Sequence, residues 1–116
     1  IWTTSAVYQP KIPELKVTDG PNGARGDKYL GREPTTCWPV GIALASTWNP
    51  DLISQVGQAL AQEVHDKGAH VLLGPTVNMH RSPLNGRNSE CYSEDPYLTS
   101  RIAVAYIKGL QSQGIS

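Results

Sequence analysis

The sequence has little of several things that would name a function quickly. It holds two cysteines, Cys37 and Cys91, in 116 residues. A small disulfide scaffold is richer in cysteine, and no CxxC pair occurs. His65, His70 and His80 do not stand at zinc-motif spacings from either cysteine. Both cysteines therefore read as thiols, and neither a metal nor a cofactor is expected. Lys and Arg total 10 and Asp and Glu total 10, a formal net charge of zero. That balance gives no electrostatic reason to expect nucleic acid or an anionic membrane as partner. No apolar run is long enough to cross a bilayer. No Asn-x-Ser/Thr sequon occurs, so glycosylation offers no hint of compartment. The opening IWTTSAVYQP lacks the basic start and apolar centre of a signal peptide. It also lacks an initiator Met, so nothing follows about what precedes it.

What is present is a pattern of alternation. ELKVT, residues 14–18, reads as a short strand running into Asp19. Residues 20–48 are long and irregular, with Pro21, Pro34, Pro39 and several glycines. Within them GIALA, residues 41–45, fits a strand or a helical turn equally well. A helix follows: Asn49 is a good N-cap, Pro50 suits the first helical position and Asp51 complements the positive helix end. Ile53, Val56, Leu60 and Val64 recur at spacings of three and four, so one stripe should face a core. Gly68 supplies a left-handed stop. AHVLLGPTV, residues 69–77, is almost continuously apolar and reads as a buried parallel strand. A second irregular stretch covers residues 78–94. A second helix begins at Asp95 and Pro96, presents Leu98, Ile102, Ala105 and Tyr106 inward, and ends near Gly114.

Strand, long loop, helix, strand, long loop, helix implies an α/β fold with a parallel sheet. The long loops both follow strands. In a TIM-type (β/α)8 barrel the functional face is built from the loops after the strand C-termini. Such a barrel needs roughly 250 residues. The chain thus corresponds to about its first two βα units, one incomplete domain over residues 1–116 with no internal boundary. A third strand is expected to begin at GIS.

The first of these loops carries LKVTDGPNGARG, residues 15–26. Asp, Gly, Pro and Asn are turn residues, so Asp19 has a plain reading as a turn acid bonded to its own backbone. The second loop, GPTVNMHRSPLNGRNSECYSEDP, holds Arg81, Arg87, Glu90, Glu94 and Asp95. Asp95 is most simply a helix cap and Glu94 a complement to the helix dipole. His80 suits a loop hydrogen bond, and Arg81 a surface charge or a partner for a loop carboxylate. Several donors and acids above a strand end also suit recognition of a polyhydroxyl ligand.

Four runs, TDGPNGARG, TCWPVGIALASTWNPDL, KGAHVLLGPTVNMHRSPLNGRNSECYSEDP and AYIKGLQSQGI, occur in that order. Together they resemble the N-terminal barrel domain of family 3 glycoside hydrolases, in the β-glucosidase branch. The resemblance runs from about Ile12 to Ile115. It implies a retaining exo-acting β-glycosidase, a β-glucosidase hydrolysing terminal non-reducing β-D-glucosyl residues. It implies sugar-binding roles in the −1 subsite for Asp19, of the DGP motif, for Arg25, and for Arg87, of the motif that reads GRNSE here. The family's Lys-His pair, its nucleophile Asp and its acid/base Glu fall outside this chain, so no carboxylate here is assigned a catalytic role. The partners implied are a β-glucoside or oligosaccharide, the rest of the barrel and a C-terminal α/β sandwich domain. Asn85, Ser89 and Cys91 depart from the family pattern, which often has Cys, an aromatic and Tyr there. The lost aromatic at Ser89 leaves the packing beneath Arg87 open, or filled by Tyr92.

Alternatives stand beside this reading. A β-xylosidase or another exo-β-glycosidase of the family differs in residues that need not lie in this chain. A non-catalytic sugar-binding module would reuse the same surface. A doubly wound nucleotide binder is disfavoured, because no GxGxxG follows either strand.

Overall fold

The computed structural model describes residues 2–27 and 34–116. The centre of the first irregular stretch, residues 28–33, lies outside the described residues. The elements run β1 (Val7–Tyr8), β2 (Lys11–Ile12), β3 (Val17–Asp19), α1 (Gly41–Ala45), α2 (Pro50–Asp66), β4 (Val71–Leu73) and α3 (Pro96–Gln111), with a 3-10 turn at Asn88–Glu90 before α3.

Strands β3 and β4 pair in parallel, with Val17 opposite Val71, Thr18 opposite Leu72 and Asp19 opposite Leu73. Ser116 continues this ladder on the far side of β4. Its N–H donates to the His70 carbonyl at 3.0 Å, and its carbonyl accepts from the Leu72 N–H at 2.8 Å. On the other side the N-terminal segment runs antiparallel to β3, bridging Thr3 to Lys16, and the Trp2 carbonyl accepts from the Val17 N–H at 2.7 Å. The exposed hairpin β1–β2 was not foreseen; no alternation of apolar residues marks it.

GIALA resolves to a helical turn, α1. Helix α2 begins as its sequence dictates. The Asn49 side chain accepts from the Leu52 N–H at 3.1 Å, with Pro50 inside the first turn. Gly68 closes it at a φ of +64°. Asp95 caps α3, accepting from the Tyr97 and Leu98 N–H groups. That helix ends at Gln111, and Gly114 lies in the turn beyond it.

The core lies where α2 crosses α3 and takes in both expected stripes: Ile53, Leu60, Val64, Ile102 and Tyr106 are buried, and Val56, Leu98 and Ala105 pack against them half-buried. Gly57 and Ala61 are buried on α2 while Val56 is only half-buried; Ala103, Gly109 and Leu110 are buried on α3 while Leu98 and Ala105 are half-buried. The reason is a close crossing. A Cβ at Gly57 would stand 2.6 Å from the Tyr106 carbonyl oxygen, and one at Gly109 would collide with the Ser54 carbonyl. Small residues at the crossing let the backbones touch, so the contact centres on the glycines instead of the larger apolar side chains. The second strand needs correction. It spans only Val71–Leu73, and Leu72 is buried while Val71 is half-buried and Leu73 exposed.

One carboxylate organises the loop after β3. Glu63, on α2, accepts from the Thr36 N–H at 2.9 Å, the Trp38 indole Nε1–H at 3.2 Å and the Ala24 N–H at 3.4 Å. Burial works to raise its pKa, but the hydrogen bonds from Thr36, Trp38 and Ala24 together outweigh it and hold the carboxyl below its ordinary value of 4.5. A carboxylate whose folded pKa is depressed contributes stability that is complete above the unfolded value and is lost as pH falls through the folded one. Glu63→Gln is therefore expected to lower the melting temperature of the intact protein at pH 7. The gap to the unsubstituted protein should stay constant down to about pH 5 and narrow below it. Thermal melts across pH 3–7 check this; a gap that ignores pH would remove Glu63 from this role.

Candidate functional site

Asp19 is the last residue of β3, so the chain leaves the sheet immediately after it. The loop that follows is held by its backbone. The Asp19 carbonyl accepts from the Arg25 N–H at 2.9 Å, and the Gly20 carbonyl from the Gly23 N–H at 3.2 Å. Gly20 adopts a φ of +136°, and a Cβ there would collide with the Gly23 carbonyl, so the turn requires glycine. Buried Thr18 supplies a further tie, its hydroxyl accepting from the Gly26 N–H at 2.8 Å. The plain reading of Asp19 as a turn acid is thus corrected. Backbone groups and Thr18 build the turn, and the Asp19 carboxylate caps nothing among the described residues.

That carboxylate instead faces Arg25, with Nη1 to Oδ2 at 3.9 Å. The separation is a charge contact and exceeds hydrogen-bond length. The Arg25 guanidinium also stands over the Trp2 ring, 5.5 Å from its centroid, within cation–π range. Trp2 was missed in the sequence. It reaches this place through the bridge of its segment to β3, and no local motif announces such a long-range pairing.

Arg87 sits on the loop after β4, hence at the same end of the parallel pair as the Asp19 loop. Its side chain is 69% exposed and forms a fork with Glu90: Nε to Oε1 at 2.9 Å and Nη2 to Oε2 at 2.7 Å. The hydrogen bonds to Glu90 raise the guanidinium pKa further above its ordinary value, and the Asp19 charge adds to the same shift. Asp19 and Arg87 therefore share a field while each keeps its own nearer partner. Glu90 is held below the ordinary carboxylate range chiefly by the Arg87 hydrogen bonds, with Thr76 adding to them.

The neighbouring residues have structural employment. The His80 Nε2–H donates to the Asn88 carbonyl at 2.7 Å. Asn85 folds the turn before Arg87, accepting from its N–H at 3.2 Å and donating to the Asn88 side chain at 3.0 Å. Ser89 is exposed, and the buried Cys91 thiol reaches the Arg87 carbonyl at 3.5 Å. Tyr92 is buried against Gly41 of α1. Both cysteines are free thiols, and among the described residues no cluster of His, Cys, Asp or Glu could hold a metal ion. A separate hollow beside α1, bounded by Ile42, Trp48, His80, Tyr92 and Glu94, includes none of Asp19, Arg25 or Arg87.

The arrangement can grip a neutral polyol. An ionised carboxylate accepts from adjacent hydroxyls, and guanidinium forks donate to others. Known proteins carry the same chain pattern. A β-glucosidase of Rhizobium radiobacter is 60% identical over 116 residues, which is 99% of this chain and 14% of that protein. β-Glucosidase B of Emericella nidulans is 48% identical over 115 residues, again 99% of this chain and 14% of that protein. The crystal structure of a β-glucosidase from Kluyveromyces marxianus in complex with glucose superposes with a TM-score of 0.95 at 45% identity, over 99% of this chain and 14% of that one. β-Glucosidase 3B from Thermotoga neapolitana in complex with glucose gives 0.89 at 45% identity, over 97% and 16%. The chain thus spans about one seventh of the length of the curated relatives it matches. The model of the glycosyl hydrolase family 3 N-terminal domain matches residues 5–116, and the chain belongs to that family.

Proposed function

We propose that this chain is the glycone-binding portion of a β-glucosidase, an exo-acting retaining enzyme that removes terminal non-reducing β-D-glucosyl residues. On this reading residues 1–116 are one incomplete piece of the barrel domain, its first two βα units. The ladder bonds of Ser116 to β4 support a third strand at that point. The remainder of the barrel and a C-terminal α/β sandwich domain supply the other parts. The observation that carries the reading is the Asp19 carboxylate. It stands at the C-terminal end of a parallel strand, is not consumed by its own turn, and lies beside Arg25 and within the field of Arg87. The β-glucosidases that the chain resembles, two of them bound to glucose, support the sugar as its target.

The chemistry assigns this portion a holding role. A retaining glycosidase uses two carboxylates about 5–5.5 Å apart, one as nucleophile and one as acid/base. Asp19 is engaged with Arg25, and Glu90 with Arg87, so neither is poised for those tasks. Asp19 and the arginines fix the ring while its oxocarbenium character develops, and grips that tighten in the transition state raise kcat. The purified 116-residue chain is accordingly expected to hydrolyse no aryl β-glucoside. Turnover that survives repurification would place the chemistry elsewhere than argued.

The sharper test is Asp19→Asn in the full-length enzyme. Asn accepts the same turn geometry, and the turn is made by the backbone, so the melting temperature should hardly move. The charge-assisted acceptor is lost and a donor replaces it on one side. Hydrogen bonds to charged groups are worth roughly 1.5–3 kcal/mol, which corresponds to a loss of about ten- to a hundredfold in kcat/KM. Unchanged kinetics would take Asp19 out of the site.

A further inference from the structure

Arg87 is a long, exposed side chain on an irregular loop. Nothing in its own backbone fixes where the guanidinium points. What fixes it is Glu90, three residues on, and Glu90 is itself held from two directions. Its Oε2 accepts from the Thr76 hydroxyl at 3.1 Å, and Thr76 lies on the segment leaving β4. Its backbone is clamped by α1, because Gly41 approaches so closely that a Cβ there would collide with the Glu90 carbonyl oxygen. The Glu90 side chain is accordingly 25% exposed against 69% for Arg87. The chain of contacts runs from strand end through Thr76 and Glu90 to the guanidinium.

We propose that Glu90 is a positioning residue for the glycosidase reaction: with Thr76 it holds the Arg87 guanidinium in the orientation that grips the sugar. The proposal rests on the reading of Arg87 as a sugar-binding residue. A guanidinium carries five N–H donors in a rigid fork. Glu90 takes one from Nε and one from Nη2, which leaves the Nη1 edge for hydroxyls. A planar group tethered on one edge presents its other edge in a defined direction, so less rotamer freedom is lost when the ligand forms. Glu90 also offsets a charge. Asp19, Arg25 and Arg87 alone sum to one positive charge, and Glu90 brings the set to zero.

The test uses the full-length enzyme on an aryl β-glucoside. Glu90→Gln keeps the shape and removes the ionic fork. Expected is a loss of about ten- to a hundredfold in kcat/KM, most of it in kcat, with only a small fall in melting temperature, because the ion pair is solvent-exposed on its Arg87 side. Thr76→Val, which loosens the Glu90 anchor alone, should give a smaller loss in the same direction. Added guanidinium ion should restore part of the activity of Arg87→Ala, and should fail to do so in Arg87→Ala/Glu90→Gln, where the seat for the ion is gone. Should Glu90→Gln not fold, rescue of Arg87→Ala decides: no rescue overturns the proposal. Glu90→Gln activity within twofold of the unsubstituted enzyme also overturns it, as does a loss matched by the fall in folded fraction. Arg87→Lys separates the two layers. If it retains full efficiency, the sugar-binding reading of Arg87 fails. If it is crippled while Glu90→Gln is not, only the positioning role fails.

Discussion

The described residues of the loop after Asp19 have almost no regular structure, and the carboxylate of Glu63 is what gives them a wall. Three N–H groups from separate points of the loop, on Ala24, Thr36 and Trp38, converge on this one side chain from α2. An irregular segment leaves backbone donors without helix or sheet partners, and a buried donor left unsatisfied is costly. One ionised acceptor on a rigid helix removes that cost at the buried Ala24 N–H and, with the exposed Thr36 N–H and the Trp38 indole, ties the loop to the core through α2. The helix is in turn locked to α3 at the glycine crossing. Tyr106 of α3 adds a second strut, donating its hydroxyl to the Pro21 carbonyl at 3.0 Å. The site end of β3 is thus positioned by the helix pair behind it.

Both arginines of the proposed site are held by partners from the chain itself. Arg25 rests over the Trp2 ring and beside Asp19, and Arg87 is forked onto Glu90. An arginine side chain carries about 2 kcal/mol of rotamer entropy. A free guanidinium would surrender much of that on gripping a hydroxyl, against a net gain per hydrogen bond of similar size. Holding each fork beforehand shifts the ordering cost from the binding step to folding. Preorganisation of donors in this sense is what lets weak, neutral hydroxyl partners be bound with directional precision.

Much of the frame was legible in the sequence because its signals are local. Asn49-Pro50 and Asp95-Pro96 place two helix starts within one residue, and Gly68 marks a stop, since capping depends only on neighbouring backbone groups. The parallel pairing of the two strands followed from the order of elements. The misses have a different physical origin. Gly57 and Gly109 carry no hydrophobic signal, yet a backbone-to-backbone crossing selects them over Val56 and Ala105. Trp2 and Glu63 act through contacts far along the chain, which periodicity cannot see. Asp19 and Asp95 look alike in sequence, each an acid beside turn residues. Only the structure separates them: Asp95 spends its carboxylate on two helix N–H groups, while Asp19 leaves the turn to its backbone. Glu90 stood three residues from Arg87 in GRNSE, a pairing distance in any helical turn, but whether that loop formed a turn was not readable.

The charge balance follows from the reaction proposed. As the glycosidic bond breaks, positive charge develops on the sugar ring. A grip built from Asp19, Arg25 and Arg87 alone would present a net positive charge to it. At about 10 Å and an effective dielectric constant near 20, one unbalanced unit charge opposes another by about 1–2 kcal/mol, roughly one power of ten in rate. In the proposed site the guanidinium forks supply directional donors to the sugar, so removing an arginine would sacrifice grip. Placing Glu90 on the Arg87 edge that the sugar does not use cancels the charge and keeps the donors. On the proposed reading the same carboxylate that aims the guanidinium removes its electrostatic penalty, and a neutral amide of equal shape would leave that penalty in place.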